Sequence, residues 1–456
     1  MKNKTFLKWQ NRNGLTAIVV SLVLCSCHNG VPTPIDTKYI SDFHTANFCS
    51  SVPVLDSGLA LYVDYSTCNK LGQNSRFFQS LEPAFKDLTT SYFSIKGSKI
   101  VEEDLNTEGV YSRLRNIQEV NYADLQSAAD QIAEGSQEAV LLTDGEYFTR
   151  DIARGNDNNS WLASALKTWI LKGYDIHILV EPYDEVNKGK VYHKKRFYII
   201  FTDDRKENNV YARIVKTARL NSFPDVDEFH LSVSRAQMKG NGKDNSAVYN
   251  PTLQCKVKGY GSYEVADWYG CDWGTIEKYI INAYDSATGE PLENGENIIS
   301  LGIDRNSFGG YRIMDIDLKV YDINQEYADY YFVKESGALV VHLDYQLTEI
   351  PNFMLIDKQE FTAHSNINIY FNRLWFDPAN LTGDPYNYFK LDILIDSVEP
   401  IFDSHREKFE FESISNPGNM NVSVATSIEQ CLADDEVQKK MKGQVAYTIY
   451  IKSERK

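Results

Sequence analysis

Between residues 51 and 222 short apolar runs alternate with amphipathic ones, and this alternation restricts the possible fold more than any other feature of the 456-residue chain. LALYVD (59–64), SYFSI (91–95), AVLLTD (139–144), DIHILVEPY (175–183) and RFYIIFTDD (196–204) read as strands, since they are short and rich in β-branched and aromatic residues. SRFFQSLEPAFKDL (75–88), YADLQSAADQIAE (122–134), SWLASALKTWILKG (160–173) and VYARIVKTARL (210–220) carry apolar residues at helical spacing. The third of these opens on a serine cap and closes on a glycine. Strands alternating with helices at this interval predict an α/β domain over residues 51–224, Rossmann-like, with a mostly parallel sheet covered by helices on both faces.

Two of the apolar runs end on an aspartate just as the chain leaves the strand, which places Asp64 and Asp144 at carboxyl ends. In an open α/β sheet that edge is where ligands bind. The first run continues as Asp64-Tyr65-Ser66-Thr67-Cys68 and the second as Thr143-Asp144-Gly145. Together they resemble the von Willebrand factor A (vWA) domain, whose first strand ends in Asp-x-Ser-x-Ser and a later one in Thr-Asp-Gly. The resemblance implies a metal-ion-dependent adhesion site in which Asp64, Ser66 and Asp144 hold Mg²⁺ directly or through water. Thr143 and Gly145 would shape the loop, and an acidic side chain of a partner protein would complete the ion's shell. Oxygen ligands and an incomplete shell suit magnesium. Cys68 stands where the family has its second serine, a degraded ligand position, because soft sulfur matches Mg²⁺ poorly. The family also uses a threonine before a helix that starts near Asp-Leu. Asn121-Tyr122-Ala123-Asp124-Leu125 offers none, and Thr107 lies earlier.

Three other readings use the same residues. The aspartates and Ser66 would, on the first, simply cap the helices that follow and bind loop amides. A haloacid-dehalogenase-type phosphatase would, on the second, use Asp64 as nucleophile and Asp203-Asp204 as a late Mg²⁺-holding pair. Ser66 then occupies the general-acid position, and a hydroxyl does not supply a proton at neutral pH as a carboxylic acid does. The third is a metal-free scaffold. There is no Gly-x-Ser-x-Gly elbow and no phosphate-cradling loop with lysine. The histidines are scattered without a zinc spacing: His177 reads as a core or face residue of a strand, and His193 as part of a solvated hairpin.

At the start, Lys2, Lys4, Lys8 and Arg12 precede the apolar run LTAIVVSLVL, which is too short to span a bilayer comfortably. Leu24-Cys25-Ser26-Cys27 resembles a bacterial lipoprotein box, as in lipoproteins of the Bacteroidetes type, with Cys27 as the lipidated residue. The expected arrangement is a signal peptide (1–26), a flexible linker (27–50) and attachment to the cell envelope, with the outer membrane the expected site and its face open. Cleavage before Cys27 removes those four basic residues and no acidic one, taking the net charge from −16 to −20. Such a chain should avoid nucleic acid and bare anionic membrane. Five cysteines remain beyond the anchor, of which Cys255 and Cys271 are the expected disulfide, and an odd number leaves at least one thiol free if all bridges are internal. Beyond residue 225 short aromatic and alternating strands predict β-sandwich-like modules over 225–350 and 351–456. The aromatic stretch 260–275 suits either such a core or a sugar-stacking face. The expected function is non-catalytic protein binding or adhesion.

Overall fold

The computed structural model describes Phe43 and residues 53–105, 109–115, 117, 123–147, 159–233, 262–267, 273–276, 297–302, 305, 309–335, 347–372 and 386–454. The N-terminal region is built from β1 (Asp56–Asp64), α1 (Thr67–Gly72), α2 (Arg76–Phe85), β2 (Thr89–Lys96), β3 (Lys99–Glu103), α3 (Val110–Arg115), α4 (Leu125–Glu134), β4 (Gln137–Thr143), α5 (Ala163–Leu171), β5 (Asp175–Asn187), β6 (Lys190–Thr202), α6 (Val210–Lys216) and β7 (Asp227–Leu231). Its strands form one seven-stranded sheet in the order β3-β2-β1-β4-β6-β5-β7. Alternation along β1 explains the two layers. Leu59, Leu61 and Val63 face a core containing Phe77, Leu81 and Phe85 of α2 and Ile214 of α6. Ala60 and Tyr62 face the opposite core with α4 and α5. Helices therefore cover both faces, as expected.

The sheet is mixed, which corrects the expectation that it is mostly parallel. Only β1 pairs in parallel, with β2 on one side and β4 on the other. The β2–β3, β4–β6, β5–β6 and β5–β7 pairs are antiparallel. The cause is a long hairpin: β5 and β6 are 13 residues each and join through Lys188 (φ 50°) and Gly189 (φ 81°). Left-handed conformations at both loop positions are what a tight hairpin turn needs. The hairpin slots β6 between β4 and β5.

The C-terminal region is strand-rich and separate in its sheets. β8 (Ser262–Asp267), β9 (Trp273–Ile276), β10 (Asn297–Gly302) and β11 (Tyr311–Asp322) are followed by α7 (Asn324–Glu335), β12 (Thr348–Glu349), β13 (Met354–Ile356), α8 (Lys358–His364), β14 (Asn366–Phe371), β15 (Tyr386–Pro400), β16 (Phe411–Glu412), β17 (Met420–Asn421), α9 (Ser423–Leu432), α10 (Asp435–Met441) and β18 (Val445–Glu454). A six-stranded antiparallel sheet runs β12-β11-β15-β18-β8-β9, beside a three-stranded sheet β10-β14-β13. Four helices among these strands depart from an all-β region. In α9 the buried Val424, Ala425, Ile428, Cys431 and Leu432 recur at helical spacing, and Asp434 caps α10 by accepting from Glu436 N and Val437 N. Cys431 is an unbridged buried thiol whose pKa burial pushes up to about 12. Cys27, Cys49, Cys255, Cys271 and Thr107 lie outside the described residues. Among the described residues no helix is long and apolar enough to cross a membrane.

Candidate functional site

Because β1 and β4 are parallel neighbours with Val63 opposite Leu142, their ends bring Asp64 beside Thr143. Thr143 Oγ1 donates to Asp64 Oδ2 at 2.9 Å, and Ser66 N donates to Oδ1 at 2.9 Å. Ser66 is also the N-cap of α1, and its hydroxyl adds a further hydrogen bond to Asp64. Asn69, one turn into α1, donates Nδ2 to the carbonyls of Asp64 and, at 3.2 Å, Leu142. It thereby staples the two strand ends. Its own Oδ1 is buried without a hydrogen-bond partner among the described residues. The turn after β4 is held by Gly145 N, which donates to Thr143 Oγ1 at 3.0 Å, and by Glu146 N, which donates to Asp144 Oδ1 at 2.9 Å.

Both aspartates are buried, Asp64 at 1% exposure and Asp144 at 5%. Burial, then the nearby Asp144 charge, push the Asp64 carboxyl up to about 8. Asp144 is also raised by burial, an effect opposed by the Lys194 ammonium. Around this pair lies a shell of paired ions. Lys194 bonds Glu146 and sits 4.6 Å from the Phe411 ring centre, and Arg196 Nη1 donates to Glu181 Oε2 at 2.6 Å. Tyr198 OH and Ser75 Oγ also donate to Glu181, so both oxygens of that buried carboxylate are engaged. Glu185 adds a further buried acid whose charge also raises Asp144. Lys194 pairs with Glu146 and Arg196 with Glu181, and both cations also lower the pKa of Asp144, whereas Asp64 is held by neutral donors. The site carries an excess of acid.

The sequence-predicted residues divide as follows. Asp64, Ser66 and Asp144 converge; Cys68 lies in the first turn of α1, and its side chain is outside the described residues. Asp124 starts α4 as its N-cap, accepting from Ser127 N at 3.2 Å. Asp203 and Asp204 follow β6, which is antiparallel to β4 with Phe201 opposite Ala139 and Phe197 opposite Thr143. They therefore lie at the opposite edge of the sheet from Asp64, a full strand away. His193 is 77% exposed on the β5–β6 hairpin, as expected.

At that opposite edge the histidines are not scattered. His177 of β5 pairs directly across the sheet with His230 of β7, and their rings stack at 3.9 Å with an 11° tilt. Tyr211 of α6 stacks on the other side of His177 at 3.4 Å. His177 Nδ1 meets Glu228 Oε1 at 2.8 Å and its Nε2 meets Asp204 Oδ2 at 2.9 Å. His230 Nε2 lies 3.3 Å from Asp175 Oδ1 and 3.4 Å from Asp204 Oδ2. Burial disfavours the His177 imidazolium, but the two carboxylates outweigh it and raise the ring's pKa to about 9. Sequence spacing missed this cluster because β5 and β7 are distant in the chain and only their cross-strand register joins them.

No protein-family model, no curated protein and no solved structure matches the chain.

Proposed function

We propose that the chain is a lipid-anchored cell-envelope protein whose vWA-like α/β region binds another protein without catalysis, through a degenerate Mg²⁺-dependent adhesion site. One observation carries this reading. Two carboxylates, Asp64 and Asp144, lie buried at the carboxyl ends of adjacent strands, and Asp64 is governed chiefly by burial, by the Asp144 charge and by neutral hydrogen-bond donors. Such a pair gains from a hard cation. The fit is supported by the oxygen donors Asp64, Ser66 and Asp144 and by the unsatisfied Asn69 Oδ1. When bound, Mg²⁺ would supply an open coordination position for a partner's acidic side chain. The chain's own residues do the rest: Thr143 and the Ser66 amide aim Asp64, and Lys194 with Glu146 holds the loop after Asp144.

The phosphohydrolase reading is disfavoured by the place of Asp203 and Asp204, which follow β6 at the far edge of the sheet. Ser66 at the general-acid position weighs the same way. Membrane attachment through Cys27 and the absence of a nucleic-acid role rest on sequence pattern and on the net charge of −16.

Calorimetric titration of Mg²⁺ and Mn²⁺ into the full chain, beside an Asp64→Ala, Asp144→Ala variant, tests the site. Saturable binding that disappears in the folded variant supports it. No binding at millimolar metal ends the metal mechanism and leaves the protein-binding surface to be sought elsewhere.

A further inference from the structure

The cluster at the opposite edge of the sheet carries an inference independent of the adhesion site. We propose that His177, His230 and Asp204 form a binding site for one divalent ion of the zinc class, tying β5, the segment after β6 and the edge strand β7 together.

The donor set is the first argument. Two imidazole nitrogens and one carboxylate oxygen suit a borderline ion such as Zn²⁺, and three protein ligands leave the fourth tetrahedral position to water. Distances are the second. Zinc bonds of about 2.0–2.1 Å to nitrogen and oxygen place tetrahedral ligand atoms about 3.4 Å apart. His230 Nε2 is already 3.4 Å from Asp204 Oδ2, and His177 Nε2 is 2.9 Å from Asp204 Oδ2. All three atoms of the His177, Asp204 and His230 set lie within 4.8 Å of one another.

The supporting shell is the third argument. Glu228 takes His177 Nδ1 at 2.8 Å, the outer carboxylate that fixes the orientation of a metal-binding histidine. Asp204 N donates to Asp175 Oδ2 at 3.0 Å, which holds the Asp204 backbone against the start of β5. Asp204 Oδ1 is buried and has no hydrogen-bond partner among the described residues. An unsatisfied carboxylate oxygen in a polar cluster points to a missing ligand. One movement is required, because parallel stacked rings do not aim their lone pairs at a common point. His177 is buried between Tyr211 and His230, whereas the His230 side chain is 27% exposed on an edge strand, so the required turn falls to His230. On binding, the proton held between His177 Nε2 and Asp204 leaves to solvent as the nitrogen–metal bond forms.

The test is titration of Zn²⁺ and Co²⁺ into the untagged full chain and into His230→Ala, Asp204→Asn and Asp64→Ala, Asp144→Ala variants, each checked by circular dichroism. The expected result is one ion per chain, visible absorption of tetrahedral Co²⁺, a higher Tm with zinc, and affinity at least about tenfold lower in His230→Ala and Asp204→Asn. The adhesion-site double variant should keep the zinc site, so failure of one proposal is distinguishable from failure of the other. His230→Ala lies on an exposed edge and decides alone if Asp204→Asn does not fold. No saturable binding at submillimolar zinc, or binding unchanged in His230→Ala, overturns the proposal.

Discussion

Arg196 is 1% exposed and bonds Glu181, itself only 9% exposed, so the two charges left water together. Removing one partner strands the other. Arg196→Ala should cost about 3–5 kcal/mol in urea unfolding, whereas a double Glu181→Gln, Arg196→Met replacement should cost much less, since neither charge is then left alone. Glu138 offers a test by pH. It is 5% exposed, and burial raises its pKa from the ordinary 4.5 despite hydrogen bonds from Thr202 Oγ1 and the Val210 and Asp203 amides. A raised carboxyl pKa means that the folded state holds the proton more tightly. Its contribution is thus fully present below the unfolded value and is lost as pH rises through the folded one. Glu138→Gln removes that dependence, so its stability relative to the unsubstituted protein should improve from pH 5 to pH 8 in paired thermal melts. These ionised residues are visible in the sequence only as polar letters in strands. Nothing local in YHKKRF marks Lys194 and Arg196 as buried, because their burial depends on Glu146 and Glu181 arriving from other parts of the chain.

Most strands and helices between residues 53 and 222 are legible because each carries its own periodicity, although the short α1, β3 and α3 are not, and the Asp64 and Thr143-Asp144 motifs fall at strand ends as read. Strand order is not legible. The Lys188-Gly189 turn is a local hairpin signal, yet nothing local says that β6, not β5, will pair with β4. Turns give the element-scale test. Gly189 has φ 81° and open space where a methyl group would stand, while Gly145 has φ 75° and would set a Cβ 2.9 Å from both Phe197 and Val424. Gly189→Ala should therefore cost only the left-handed backbone penalty, about 1 kcal/mol. Gly145→Ala adds a steric clash between β6 and α9 and should cost about 2–4 kcal/mol. Equal losses in denaturant melts would show that the Gly145 loop yields without resistance.

At the scale of the molecule, the C-terminal region is packed onto the α/β sheet instead of merely following it. One continuous apolar cluster contains Trp169 and Phe229 from the first region and Tyr311, Phe409, Val424 and Ile449 from the second. Leu162 N donates to Ser427 Oγ at 3.2 Å, Lys167 pairs with Asp434 at 2.9 Å, and Ser423 Oγ donates to Gly145 O at 3.2 Å. The last contact lies on the very turn that carries Asp144. Phe411 under Lys194 and Ile414 N, 3.5 Å from Glu146, buttress the same loop. Pairings this distant in the chain leave no mark in local sequence, which is why the second half reads as separate β-sandwich-like modules. The packing has a measurable consequence. Ile428 is fully buried in α9, and an aspartate there places an unpaired charge in the shared core. Ile428→Asp should lower the Tm of the two regions together, as one calorimetric transition, because the cluster couples them. It should also weaken any ligand binding at Asp64 and Asp144, by loosening the Gly145 turn. A scan in which only a second, separate transition moved would mean that the sheet and the C-terminal region unfold independently and that the site loop stands without its buttress.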